Sequence, residues 1–296
     1  MTISYALLRE TIKEVFIRAV TQVPDDIRYS LKQALKRESN EQARNILEVI
    51  LDNVQTAKET GTVICQDTGV PLFYLRTGLG MEVEGDIRQA FSDVVADLTV
   101  NRPLRSMMVH PVTREGCGNN TGPGIPIVNV ELIPETDYLE ITCFPKGAGS
   151  GFWSFFKVFQ PQEGMEAVKK YILECVLKAG SNPCPPTIVG VGLGGTFDEC
   201  AKLATKATMR PLYQRHAESE IAELEQDLLE AINMSQIGPM GLSGDTTALM
   251  VNVEYAFTHS PWLPVAVVQN CWPGRQCTAR IYQDGRVEWF QHREEE

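Results

Sequence analysis

The sequence predicts a mixed α/β protein with its helices gathered towards the N-terminus, and three patterns carry that reading. Apolar residues recur at three- and four-residue spacings through most of the first sixty positions. Short β-branched and aromatic runs bounded by turn residues begin near residue 70. Helical and strand-like segments then alternate before a strand-rich tail.

In order, IRYSLKQAL and ARNILEVILDNVQTAKE read as amphipathic helices, the first opened by Pro24, Asp25 and Asp26. LFYLRT, IVNVELI and LEITCF read as strands. EAVKKYILECVLKAG is a helix, TIVGVGL a strand, FDECAKLATKA a helix, and ESEIAELEQDLLEAINM a long charged helix with Ile221, Leu224, Leu228 and Ile232 on one side. LPVAVVQ, TARIYQ and RVEWFQ close the chain as strands, with Gln283, Asp284 and Gly285 as a hairpin turn. No repeat, low-complexity tract or linker interrupts this order. The expectation is one domain over residues 1–296, with a helical lobe at 1–60 and a mixed α/β part at 61–296.

Composition narrows the functional classes. The 296 residues are 43% hydrophobic, enough for a sizeable core. The formal net charge is -11, from 27 basic and 38 acidic residues, which argues against a phosphate-binding surface and so against nucleic acid. The N-terminus lacks the apolar core of a signal peptide, and no segment reaches membrane-spanning length. A cytoplasmic, soluble protein is expected, with its thiols reduced.

Eight cysteines are present, with no Cys-x-x-Cys pair, so neither a zinc ribbon nor a ferredoxin site is supported. Their settings differ. Cys143, Cys175 and Cys200 fall inside strand or helix patterns, where a thiol serves as a small hydrophobe. Cys65, in TVICQDTG, sits where an apolar run meets a turn. Cys184, in SNPCPPT, is fixed among prolines. Cys271, in VQNCWPGRQC, follows an apolar strand. GVGLGG at 190–195 matches a dinucleotide fingerprint by spacing, but the acid expected about twenty residues on is missing. Glycine-rich packing of strand on helix is the better reading of it.

The ordered words ICQDTG, PLR, NNTG, PKGAGS, NPCPP, GVG, MGLSGDTTAL, THSPWLPVAV and NCWPGR resemble the iron-sulfur hydro-lyases of the class I fumarase and tartrate dehydratase family. They run from near Asp52 to the C-terminal hairpin, and the resemblance is to the α subunit. It implies a 4Fe-4S cluster held by Cys65, Cys184 and Cys271, with no protein ligand on the fourth iron. An open iron acts as a Lewis acid on a substrate hydroxyl. The resemblance also places Gln66 and Asp67 at the substrate, Asp67 as a candidate base, although an Asx turn onto Gly69 is an equal reading of the local sequence. It implies that Arg105 forks onto a substrate carboxylate, that His259 is a site histidine, that the backbone of Gly147, Ala148 and Gly149 contacts substrate, and that Arg275 orients the cluster or a carboxylate.

Two departures stand out. KGAGSGF replaces the family's Lys-Gly-Gly-Gly-Ser-Glu-Asn, and because alanine tolerates positive φ poorly, a different loop path is expected at Ala148. Gln276 replaces the second arginine of the family's Cys-Trp-x-x-Arg-Arg. Phe152 and Trp153 are candidates to line a less polar pocket, with core packing of FWSFFKVF as the blander account. The implied reaction is reversible dehydration of a small 2-hydroxy dicarboxylate, malate or tartrate, or a methyl-substituted relative such as citramalate; a cluster-bearing scaffold or sensor is the rival from another class. The charged close of the chain reads as a true terminus, so a separate β subunit is expected to complete the pocket within an α2β2 assembly.

Overall fold

The computed structural model describes residues 2–101, 104–134 and 136–290. The charged close of the chain, 291–296, lies outside the described residues. Helices and two mixed sheets make up the chain, the α/β class expected. By contact the described chain divides into two compact units, the first made of residues up to 24, 53–148 and from 275 on, the second of 25–52 and 149–274. Residues 1–60 hold three helices, the first belonging to the first unit, the second to the second, and the third divided between them at residue 52.

The first unit contains α1 (Tyr5–Thr21), the second half of α3 (Glu41–Thr60), β1 (Leu72–Thr77), α4 (Ile87–Asn101), β2 (Ile127–Leu132), β3 (Tyr138–Cys143), β8 (Cys277–Tyr282) and β9 (Val287–Phe290). The Ser4 hydroxyl accepts the N–H of Leu7 and so starts α1. Leu8, Ile12, Val15, Phe16 and Ala19 then form its buried stripe. The strands order as β2-β1-β3-β8-β9, with β1 parallel to β2 and the other pairs antiparallel. Phe73, Leu75, Leu139, Ile141, Ala279 and Ile281 face α1 and α4 in one core. The predicted hairpin is present: Gly285, at φ 85°, donates to the Tyr282 carbonyl.

The second unit contains α2 (Asp25–Arg37), the short turn α5 (Ala148–Gly151) from Gly149 onward, β4 (Phe155–Phe159), α6 (Gly164–Ala179), β5 (Thr187–Gly194), α7 (Phe197–Ala207), α8 (Ser219–Asn233), β6 (Ala248–Ala256) and β7 (Leu263–Asn270). In α2, Asp25 and Asp26 open and Lys36 and Arg37 close the helix, each complementing its dipole. The sheet runs β4-β7-β5-β6, with β5 parallel to β6 and antiparallel to β7. GVGLGG proves to be a packing device. A Cβ on Gly190 would lie 2.1 Å from the Ala204 carbonyl oxygen and one on Gly192 2.1 Å from that of Cys200, so bare backbone lets α7 lie directly on β5.

Strand β6 has no counterpart in the sequence reading. It carries Asn252 and Glu254 mid-strand, and Asn252 is fully buried because its amide donates to the Ala207 carbonyl and accepts from Arg210. Arg210 also pairs with the buried Glu225 and with Glu254. The aromatic run divides: Phe159 is buried, whereas Phe152 is 83% exposed and belongs to no core. Among the described residues no helix is long and apolar enough to cross a membrane.

Candidate metal centre and substrate turn

In the first unit, residues 65–69 form a turn stitched to the segment 146–148. Val70 and Lys146 exchange backbone hydrogen bonds at 2.8 and 3.1 Å. Gly69, at φ 78°, is the residue the turn requires, and a Cβ there would meet the Lys146 backbone at 2.9 Å. Asp67 is the clasp: its Oδ1 accepts the Gly69 N–H at 2.9 Å, the Asx turn considered from sequence, and its Oδ2 accepts the Ala148 N–H at 2.7 Å. Its own N–H points at the Cys65 sulfur, 3.5 Å away. Cys65 and Asp67 are half-buried and Gln66 is exposed.

Arg275 is the underside of this turn. It is 3% exposed, and its Nη1 donates to the Asp67 carbonyl at 2.5 Å. A Cβ on Gly147 would stand 3.0 Å from Asp67 Oδ2 and 3.2 Å from Arg275 Nη2, so the glycine gives both groups their place. Ala148 begins a helical turn, and no residue from 147 to 151 has positive φ, so alanine fits the path taken here without backbone strain.

Arg105 presents the opposite case. Its side chain is exposed, but its backbone is pinned: the N–H donates to Thr68 Oγ1 at 2.9 Å, and the carbonyl accepts from Asn120 Nδ2 at 2.9 Å. Asn120 is wholly buried at φ 58°, and its Oδ1 takes the N–H groups of Met107 and Met108. Thr68 and Asn120 were not singled out from sequence. Both lie within family words, ICQDTG and NNTG, but only the fold shows what they hold.

In the second unit, β5 begins and β7 ends at the same end of the sheet, where Ile188 pairs with Asn270. This register brings Cys184 and Cys271 together: the N–H of Trp272 donates to the Cys184 carbonyl at 3.2 Å. Cys184 itself sits at φ 57°, a conformation costing a non-glycine residue on the order of 1 kcal/mol. Gly149 belongs to the same neighbourhood, since a Cβ on it would lie 3.1 Å from the Asn182 carbonyl oxygen. The structure does not bring His259 to this group. His259 follows β6 and precedes β7, at the opposite end of the sheet, in an exposed loop where its ring lies 5.9 Å from that of Trp262.

The cysteines separate by environment. Cys143, Cys175, Cys200 and Cys277 are buried, and burial pushes the thiols of Cys175 and Cys200 up to about 11, that of Cys277 up to about 12, and that of Cys143 well above its ordinary value. Such thiols are poor sources of thiolate. Cys65, Cys184 and Cys271 are half-buried at turns, and Cys117 is exposed. No three His, Cys, Asp or Glu side chains among the described residues surround a single ion. A cubane cluster asks for something else, one thiolate on each of several irons, and the donor set suits it in two ways. Cys65 already receives a backbone N–H on sulfur. The buried Asn270 Nδ2, beside Cys271, has no hydrogen-bond partner among the described residues and would find one in an inorganic sulfide or thiolate.

Comparison with known proteins agrees with the family that these words resemble. The family model described as fumarate hydratase (Fumerase) matches residues 9–280. A Methanocaldococcus jannaschii chain, provisionally named L(+)-tartrate dehydratase subunit alpha, is 41% identical over 284 residues, covering 95% of this chain and 99% of its own length. The L(+)-tartrate dehydratase alpha subunits of Escherichia coli and Shigella sonnei are each 34% identical over 285 residues, covering 96% of this chain and 94% of theirs. A match that spans nearly all of both sheets, at this identity, shows that the chain belongs to the fumarate hydratase family of hydro-lyases.

Proposed function

We propose that this chain is the cluster-binding α subunit of a hydro-lyase that dehydrates a small 2-hydroxy dicarboxylate, with L(+)-tartrate, after which the curated relatives are named, as the first substrate to test. The observation that carries this reading is the contrast among cysteines: those in the family words sit half-buried at turns, while four others are sealed in packed elements. Cys65, Cys184 and Cys271 would hold a 4Fe-4S cluster, which when bound supplies Lewis acidity towards a hydroxyl that is otherwise a poor leaving group.

The remaining work falls to the chain's own groups. Arg105, exposed on a pinned backbone, receives one substrate carboxylate through its planar fork. Asp67 keeps a second lone pair on each oxygen beside the backbone N–H it accepts, so its carboxylate can take the proton from the carbon next to the hydroxyl. Gln66 lies exposed on the same turn and can hydrogen-bond the substrate, as can the backbone of Gly147 to Gly149. Arg275 acts as a positioning residue under the turn. His259 is given no role at this group. The "subunit alpha" in the relatives' names supports a separate β chain, which would add the further cationic contacts a dicarboxylate requires.

The test is anaerobic co-expression with that partner, followed by iron analysis and turnover on L(+)-tartrate, malate and citramalate. An oxygen-sensitive visible absorption together with tartrate turnover supports the reading. Full turnover after aerobic chelation, or by this chain alone, would sink it.

A further inference from the structure

Strand β2 is an edge of the five-stranded sheet, and its outer side is open. Its inner side is set by the parallel ladder with β1. The N–H groups of Ile127 and Ile133 donate to Pro71 and Thr77, so the odd-numbered residues of β2 turn their backbone inward. Val128, Val130 and Leu132 therefore turn their N–H and C=O groups outward, and among the described residues nothing receives them. The side chains of these same residues lie on the core face, in register with Phe73, Leu75 and Thr77. Phe73 and Leu75 are buried, yet Val130 and Leu132 are each 61% exposed, so the apolar face runs past its helical cover and stops uncovered at the edge.

Natural edges are commonly blunted by lysines, prolines, bulges or inward charges. Between Ile127 and Leu132 β2 has no lysine, proline, bulge or inward charge. Its blunting is confined to the next outward positions, Pro126 and Pro134, which lack N–H groups and would end any ladder there. An open stretch of three outward residues is left between two stops.

We propose that this stretch pairs with β2 of a second copy of the chain, antiparallel, about a two-fold axis at Val130, joining the two sheets into one. The sequence is self-complementary in that register and in the adjacent ones is not. With Val130 opposite Val130 of the second copy, Val128 stands opposite Leu132 and Leu132 opposite Val128, all on the apolar face. Each is a hydrogen-bonded pair, because these are the residues whose backbone faces outward. On the other face Asn129 meets Glu131, an amide against a carboxylate that already receives Arg76 at 3.8 Å. Pro126 falls opposite Pro134, so both strands end together. A shift of the axis to Asn129 would set Ile127 against Glu131 and Pro126 against Leu132. A closed two-fold contact of this kind gives a defined dimer of the chain, not a fibre.

Two variants of the full chain test this, in the complex with its partner as well as alone. Val130→Lys places charges face to face at the axis and should halve the mass seen by sedimentation, with unfolding temperature and circular dichroism kept. Val130→Cys should give a reducible covalent dimer on mild oxidation, since hydrogen-bonded antiparallel partners stand roughly 5.5 Å apart at Cα, within disulfide range. Asn129→Cys, which does not face itself, should give far less. A parent that sediments with one copy of this chain per particle overturns the proposal. So does a Val130→Lys protein of unchanged mass whose Val130→Cys counterpart fails to cross-link, or cross-links to a different chain. If Val130→Lys misfolds, the cross-linking pair decides.

Discussion

The two ends of the four-stranded sheet are built from the same strands and have opposite characters. At one end β5 starts and β7 stops; Cys184 is held at positive φ, Trp272 ties its carbonyl, and Asn270 is buried beside Cys271. At the other end β5 and β6 stop and β7 starts; residues 257–262 are exposed, Phe257 at 94%. His259 and Cys271 are close in sequence and lie at these opposite ends, because the eight residues of β7 between them rise roughly 25 Å. Nearness along the chain therefore misleads wherever a strand intervenes, whereas Cys184 and Cys271, far apart in sequence, meet because antiparallel strands return to the same edge.

The largest expected effect follows from that contrast. Cys65→Ser, Cys184→Ser and Cys271→Ser should each abolish bound iron and turnover, a loss beyond the roughly 10- to 100-fold that partners outside the ligand shell contribute to metal affinity, because a hydroxyl is a poor soft-metal ligand. His259→Ala, Cys175→Ser and Cys200→Ser should keep the iron. Equal iron loss in the His259 variant would show that the far end of the sheet takes part after all.

The two arginines should separate next. Arg275→Lys removes a buried fork from the Asp67 carbonyl; at about 1.5–3 kcal/mol for a hydrogen bond to a charged group, it should lower the unfolding temperature and turnover together. Arg105→Lys, at an exposed side chain, should leave the unfolding temperature unchanged and raise KM roughly tenfold, the worth of about 1.4 kcal/mol. Thermal scans beside steady-state kinetics read both. A stable Arg275→Lys with only KM altered would move Arg275 from the turn to the substrate.

Midway along the sheet, Gly192→Ala should destabilise by about 1–3 kcal/mol, since the new Cβ falls on the Cys200 carbonyl and α7 must withdraw. Denaturant titration measures this. A neutral result would mean that α7 does not lie on β5 and would reopen GVGLGG as a ligand loop.

Much of this was legible in the sequence, for physical reasons. Helices with clean apolar stripes, such as α2 and α8, and strands of β-branched residues, such as β5 and β7, announce themselves by period. β6 did not, because Asn252 and Glu254 break its apolar run and are tolerated only through Arg210 and Ala207, contacts that no local pattern encodes. The turn cysteines could be told from the packed ones by context alone. What holds Arg105 could not, since Thr68 and Asn120 act through backbone hydrogen bonds across long separations.

The smallest effect is the one that sequence made look largest. Ala148 replaces a glycine of the family word, and a different loop path was the expectation. In the fold Ala148 has no positive φ, opens a helical turn, and needs only its N–H, which goes to Asp67 Oδ2. Restoring glycine keeps that N–H and adds unfolded-state freedom, so Ala148→Gly should cost at most about 1 kcal/mol and leave KM and iron content as they were. Ala148→Pro deletes the N–H alone among the hydrogen bonds to Asp67, at a first helical position where proline is otherwise tolerated. It should lower turnover with little change in unfolding temperature. If glycine altered KM and proline did not, the methyl group would be what meets the substrate, and the clasp between residues 67 and 148 would be incidental to catalysis.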